Sequence, residues 1–149
     1  MNRTTQRLLA VLLATGLAWG GAGCAKKSTE TAGTSTTTTE EVRVTQVDLG
    51  RGVGTDKRVT DQTDSFHPSD PVYATVVTSG AAPTATIRAR WTYQDGQVVD
   101  ESEQVIAPTG DAATEFHITK PDGFPVGKYK LEVFLNGAPV QTKDFEVKA

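Results

Sequence analysis

The sequence predicts an all-β sandwich, and three observations carry that prediction. Tyr129, Leu131, Val133 and Leu135 alternate with mostly polar neighbours, the two-residue period of a strand with one buried face. Asn136-Gly137 follows, the strongest short hairpin signal, because a type I′ turn needs positive φ at both central residues. A second run places Ile87, Ala89, Trp91 and Tyr93 on one face and Arg88, Arg90 and Thr92 on the other, before an Asp95-Gly96 turn. Turn residues recur at roughly 8–12-residue spacing and no run carries a helical period, which favours seven or eight short strands in two layers.

Taken in order, the chain opens with a leader. Arg3 and Arg7 form a short basic region, and Leu8 to Leu17 is apolar but too short for a bilayer, which needs about 20 residues. Gly20, Gly21, Ala22 and Gly23 then lead to Cys24, the only cysteine of the 149 residues. This is the pattern of a secretory signal rather than a membrane-spanning helix. Ala22-Gly23-Cys24 resembles the bacterial lipobox, with Gly21 where that family favours leucine. The resemblance implies cleavage before Cys24 and attachment of diacylglycerol, with palmitate-type acyl chains, to its thiol. Two or three acyl chains give durable anchoring where one would not. An ordinary soluble export signal, cut after Ala22, is the alternative.

From Ala25 to Glu41 no apolar residue is larger than alanine, and Thr36 to Thr39 are four consecutive threonines. Nothing there offsets the entropy of ordering, so the segment reads as a disordered tether reaching about 20–25 Å. The division expected is a lipoprotein signal peptide at 1–23, the lipidated cysteine and tether at 24–41, and one sandwich at 42–149.

The sandwich begins with Val42 to Leu49, a strand expected to kink near Gln46-Val47. Gly50-Arg51-Gly52-Val53-Gly54 ends it as a loop or bulge; without a following Lys-Ser/Thr and a helix it is no phosphate loop. Lys57–Thr60 is expected to hold a short edge strand, and Phe66, alone among polar residues, to plug one end of the core. Val72 to Thr78 is dense in β-branched residues, the composition of a strand. Gln97 to Ile106 returns from Asp95-Gly96 as an edge strand whose Asp100, Glu101 and Glu103 discourage pairing with other chains. Thr114, Phe116 and Ile118 alternate with Glu115 and His117, and Pro121 to Gly127 crosses back to the strand at Tyr129. The last strand carries Val140 and then Phe145 and Val147 with opposite parity, which calls for a bulge, expected near Lys143-Asp144. Pro139 falls where its missing N–H points away from the partner strand.

Trp91 on the third long strand and Gly127-Lys128-Tyr129-Lys130-Leu131 on the penultimate one resemble the immunoglobulin-like arrangement. That resemblance implies a tryptophan packed between the sheets and a tyrosine-corner residue at Tyr129, two positions before Leu131, which stands where that fold often has a cysteine. Pro125 stands where the corner usually has aspartate. The chain is therefore similar to the disulfide-free members, and the pattern specifies a fold rather than an activity. A fibronectin type III relative or a jelly roll is the alternative.

Charge and motifs exclude several functions. Without Arg3 and Arg7 the chain keeps 13 basic against 18 acidic side chains, a net of −5, and no basic run remains for nucleic acid. His67 and His117 fit no metal-ligand spacing, even with Asp70 nearby, and no Gly-x-Ser-x-Gly elbow accompanies Ser65 or Ser79. The carboxylates of the edge strand read as solvated charge rather than a glycosidase pair. No catalytic residue, metal or cofactor is expected. The candidate partner surface is the sheet face bearing Arg88, Arg90, Lys130 and Phe134, where an aromatic among arginines marks the one basic concentration, together with Phe124 in its loop. The functional expectation is a monomeric, membrane-anchored module of the cell envelope that binds or supports without catalysis. Its expected partners are the membrane, through the lipid, and an envelope protein or anionic glycan. A carbohydrate- or peptidoglycan-binding module is the second reading and an envelope hydrolase the third.

Overall fold

The computed structural model describes residues 40–149; the leader, Cys24 and the segment before residue 40 lie outside the described residues. Among the described residues eight strands follow one another: β1 (Arg43–Gly50), β2 (Ser65–Phe66), β3 (Val72–Ser79), β4 (Ala85–Tyr93), β5 (Val98–Ile106), β6 (Ala112–Ile118), β7 (Gly127–Leu135) and β8 (Ala138–Val147). They form a three-stranded sheet in the order β1-β3-β6 and a five-stranded sheet in the order β2-β8-β7-β4-β5. All neighbours are antiparallel except β2, which runs parallel to the end of β8 through Ser65 and Phe66. This is an immunoglobulin-like sandwich. Because the Asp95-Gly96 hairpin keeps β5 beside β4, the smaller sheet has three strands rather than the four of a constant-type domain.

The core follows the alternation. Ile87, Ala89 and Trp91 of β4 and Leu131 and Val133 of β7 are fully buried, facing Val72, Ala74 and Val76 of β3. Phe145 is the hub of an aromatic cluster, edge-on to Trp91 at 5.8 Å and to Phe66 at 5.6 Å, and stacked on Tyr129 at 5.2 Å. Phe66 is buried at one end of this cluster, as its isolation in a polar stretch predicts.

Asn136 and Gly137 have φ of 50° and 85°, and Leu135 pairs with Ala138, so the turn is the expected two-residue loop. Three details differ from the sequence reading. The β8 bulge lies at Val140, skipped between Pro139 opposite Phe134 and Gln141 opposite Val133, not at Lys143-Asp144. Pro139 has no N–H to give, so the ladder is weakest beside it, and the extra residue is absorbed there rather than in the well-paired end of the strand. In β1 the irregularity is at Thr45, between Val44 and Gln46, one or two residues earlier than expected. Lys57–Thr60 forms no sheet strand; an isolated bridge joins Val53 to Val59, and the short strand is β2 instead.

The tyrosine corner is present. Tyr129 Oη donates to the Pro125 carbonyl at 2.7 Å. The acceptor is backbone, so proline in place of aspartate leaves the bond intact. Gly127, with φ of 152°, lets the neighbouring Tyr93 ring approach: a Cβ there would stand 2.7 Å from Tyr93 Oη. Tyr93 Oη in turn donates to the Val126 carbonyl at 2.9 Å.

Candidate functional site

The pairing of β4 with β7 and β5 builds the face on which the sequence placed its candidates. Arg88 lies opposite Phe134, Arg90 opposite Glu132 and Thr92 opposite Lys130, while Arg88 and Arg90 face Glu103 and Glu101 on the other side. One strand of arginines thus runs between acidic neighbours.

Phe134 is not the solvent-facing aromatic the sequence suggested. It is 8% exposed, because the Arg88 and Arg90 guanidinium carbons lie 4.1 and 5.1 Å from its ring centroid. Two long side chains on an adjacent strand can lay their cations over the ring's negative face, and doing so removes its apolar area from water. The arginines are themselves held. Glu101 Oε2 accepts from Arg90 Nε at 2.5 Å, and its Oε1 from Arg88 Nη1 at 3.4 Å. The bond from Arg90, then the charges of Arg90 and Arg88, hold the Glu101 carboxyl below its ordinary range, while its bond to Glu101 raises Arg90. The face therefore alternates in sign, with Glu101, Glu103 and Glu132 among Arg88, Arg90 and Lys130. Lys130 is exposed, opposite Asp144 of β8.

Phe124 is also covered. At 4% exposure it closes the core, edge-on to Tyr129 at 6.2 Å, and its N–H donates to the Pro68 carbonyl at 2.7 Å. The Pro-Asp-Gly-Phe-Pro sequence turns the chain so that this ring points inward, which a loop position alone does not reveal.

Only one histidine ring has a local side-chain partner: His117 lies against Tyr73 with Nδ1 2.8 Å from Glu115, whereas it is the backbone N–H of His67 that donates to Asp70. Among the described residues no three His, Cys, Asp or Glu side chains gather to hold a metal ion.

Sequence reasoning missed one organising residue. Arg51 ties down the long connection between β1 and β3: Nε bonds Asp70 at 2.8 Å, Nη1 reaches Asp61 at 3.3 Å, and Nη2 donates to the Ser65 carbonyl at 2.7 Å. Asp70 is held below the ordinary carboxylate range, first by the His67 N–H and then by Arg51. The available signal was an arginine between glycines, followed by several aspartates with no basic residue beside them. An open groove of about 740 Å³ was also missed; it lies at the same end of the sandwich, between Tyr93, Val98, Asp100, Lys120 and Pro121.

No family model matches the chain, and no curated protein matches it in sequence. Solved structures with a similar course include an immunoglobulin-like protein from Pseudomonas aeruginosa, at 20% identity and a TM-score of 0.49, over 74% of this chain and 99% of that one. A Pseudomonas fluorescens alkylpurine DNA glycosylase bound to abasic-site DNA gives 14% identity and 0.49, over 74% of this chain but only 31% of its own length. The CARDB domain of a Pyrococcus furiosus protein, in complex with di-metal ions, gives 13% identity and 0.46, over 74% and 90%.

Proposed function

We propose that the chain is a lipid-anchored, monomeric module of the bacterial cell envelope that binds or supports a partner and carries out no reaction of its own. One observation supports this most. Among the described residues, the groups whose acidity departs from the ordinary are Arg51 with Asp70, Arg90 with Glu101, and Tyr129, and each is engaged in holding the fold. Reactive groups are usually perturbed within a cleft and left free for substrate; these are bonded to one another or to backbone. The anchor is Cys24, on the strength of the lipobox resemblance.

The partner surface is the alternating face of β4, β5 and β7, contacted through Arg88, Arg90 and Lys130, with Phe134 as the ring beneath and the Phe124 loop at its margin. Of the three aromatics that could stack a sugar, Phe124 and Phe134 are covered and Tyr73 is half-buried against His117, leaving no flat strip of exposed rings among the described residues, which favours an envelope protein over a glycan. A flat face of alternating charge also suits a protein of complementary pattern, where charge fixes register and suppresses wrong partners.

The anchoring is tested in a bacterial host by Cys24→Ser and by globomycin. The variant should leave the membrane fraction or remain unprocessed, and globomycin should cause the precursor to accumulate. Wild-type protein recovered soluble, with an amino terminus downstream of Cys24, would overturn the reading.

A further inference from the structure

The two ends of the sandwich differ in the charge of their loops, and β1 starts at the less charged one. Strands of nine residues such as β4 separate the ends by about 30 Å. At the near end Glu40 gives its carbonyl to the Ala81 N–H at 2.9 Å. The loop from 80 to 84 is bonded there to the loop from 107 to 111, Ala82 N–H to Pro108 and Gly110 N–H to Gly80, both at 3.0 Å. The Asn136-Gly137 turn joins them: Asn136 N–H donates to the Thr86 carbonyl at 2.8 Å, and Asn136 Oδ1 accepts from Thr86 N–H at 2.9 Å.

These three loops, with Ala138, Pro139 and Val140, contain one charged residue, Asp111. Val105 and Val140 beside them are 70% and 45% exposed. Between the start of β1 and the hairpin lies an open groove of about 700 Å³, lined by Val42, Val44, Ala82, Leu135, Ala138 and Val140, with Glu40, Glu41 and Arg43 along its β1 side. The far end exposes valines too, Val126 among them at 54%, but its loops carry Arg51, Asp61, Asp95, Lys120, Asp122 and Lys148. Charged loops of that kind resist transfer towards the acyl boundary; the three near-end loops, with Asp111 alone, resist it less.

We infer that this near end, formed by the loops 80–84 and 107–111 and the hairpin from Asn136 to Val140, rests on the lipid surface and turns the far end outward. The inference rests on the lipid-anchored reading. Between Cys24 and Glu40 the sequence is 15 residues long, and by composition its reach is about 20 Å, less than the length of the sandwich. The domain is thus held close enough for one end to touch, and the end where the chain begins is the one brought nearest. Glu40, Glu41 and Asp111 outnumber Arg43 there, so the surface fits zwitterionic headgroups rather than anionic ones.

Tryptophan quenching tests this. Trp91 is fully buried, and Trp19 lies in the leader, so an added tryptophan reports on its own position. Lipidated full-length mature protein, as wild type and as Val140→Trp, Thr109→Trp and Val126→Trp, is reconstituted on phosphatidylcholine vesicles brominated near the headgroup end of the acyl chains. The emission added at 140 and 109 should be lost to the brominated lipid, and that added at 126 retained. Retention at 140 and 109, or loss at all three positions, in protein that floats with the vesicles would overturn the docking and leave the anchor standing. Protein that fails to float would overturn the anchored reading and this inference with it.

Discussion

The Arg88 guanidinium carbon stands 4.1 Å from the centroid of the Phe134 ring, and the two residues are direct cross-strand partners on β4 and β7. The ring thus has a covered site on a sheet face that alternation alone would call open. Its exposure is 8%, so it contributes to stability as a core residue does. Phe134→Ala should cost near the lower end of the about 3–5 kcal/mol typical of buried phenylalanine, because flexible arginines can partly close over the gap. Phe134→Leu should cost less. Denaturant unfolding of both variants measures this; an unchanged midpoint for Phe134→Ala would show that the ring is dispensable to the fold.

Trp91 gives the sharper test of the core. It is fully buried and edge-on to Phe145. Trp91→Ala should cost about 3–5 kcal/mol, a large part of the 5–15 kcal/mol that holds most domains. In a chain without its leader, emission should be blue-shifted and resistant to acrylamide. Emission typical of a solvated indole would mean that the strand faces are inverted.

Tyr129 links the corner to alkaline pH. Losing its bond to the Pro125 carbonyl in Tyr129→Phe should cost about 1–2 kcal/mol near neutrality. Burial, and secondarily the neighbouring Tyr93, push the phenol up to about 12 from its ordinary 10. An acid whose pKa is raised on folding contributes stability that is complete below its unfolded value and lost as pH rises through the folded one. The advantage of wild type over Tyr129→Phe should therefore shrink between pH 10 and 12, read as the difference in melting temperature. A constant difference would show that the hydroxyl ionises freely in the native state.

Asp70 does the reverse in acid. Its pKa is depressed in the folded chain, by the His67 N–H first and Arg51 next, so its stabilisation is present above the ordinary carboxylate value and disappears as pH falls through the folded one. Asp70→Asn should lower the melting temperature at pH 7, and the gap should close below about pH 4. Faster amide exchange in residues 51–70, at pH 7, should accompany it. An equal gap at pH 7 and pH 3 would locate the effect in shape rather than charge.

The period-2 runs made most of the fold legible. Ile87 to Tyr93 and Tyr129 to Leu135 needed only their own alternation, and Asn136-Gly137 fixed their neighbour's register within one turn. What escaped were features set by distant partners. The bulge at Val140 depends on Pro139 facing Phe134 across the ladder, and β2 exists because Ser65 and Phe66 meet the end of β8. Arg88, Arg90, Lys130 and Phe134 do lie on one side of two paired strands, as their alternation implies, but the character of that face was misjudged. Exposure of Phe134 and the net charge around Arg88 and Arg90 are decided by rotamers and by Glu101 on a third strand, which no local pattern reports. Phe124 and Arg51 show the same limit for loops, since a loop's sequence says where the chain turns and not which side chain it folds under.

The account turns on Cys24, and mass spectrometry of the amino-terminal peptide of protein extracted from native membranes tests it most directly. The prediction is a peptide beginning at Cys24, followed by Ala25 and Lys26, heavier by a thioether-linked diacylglycerol and, where amino-terminal acylation follows, by one further acyl chain. An unmodified Cys24, or a first residue downstream of it, would contradict the account.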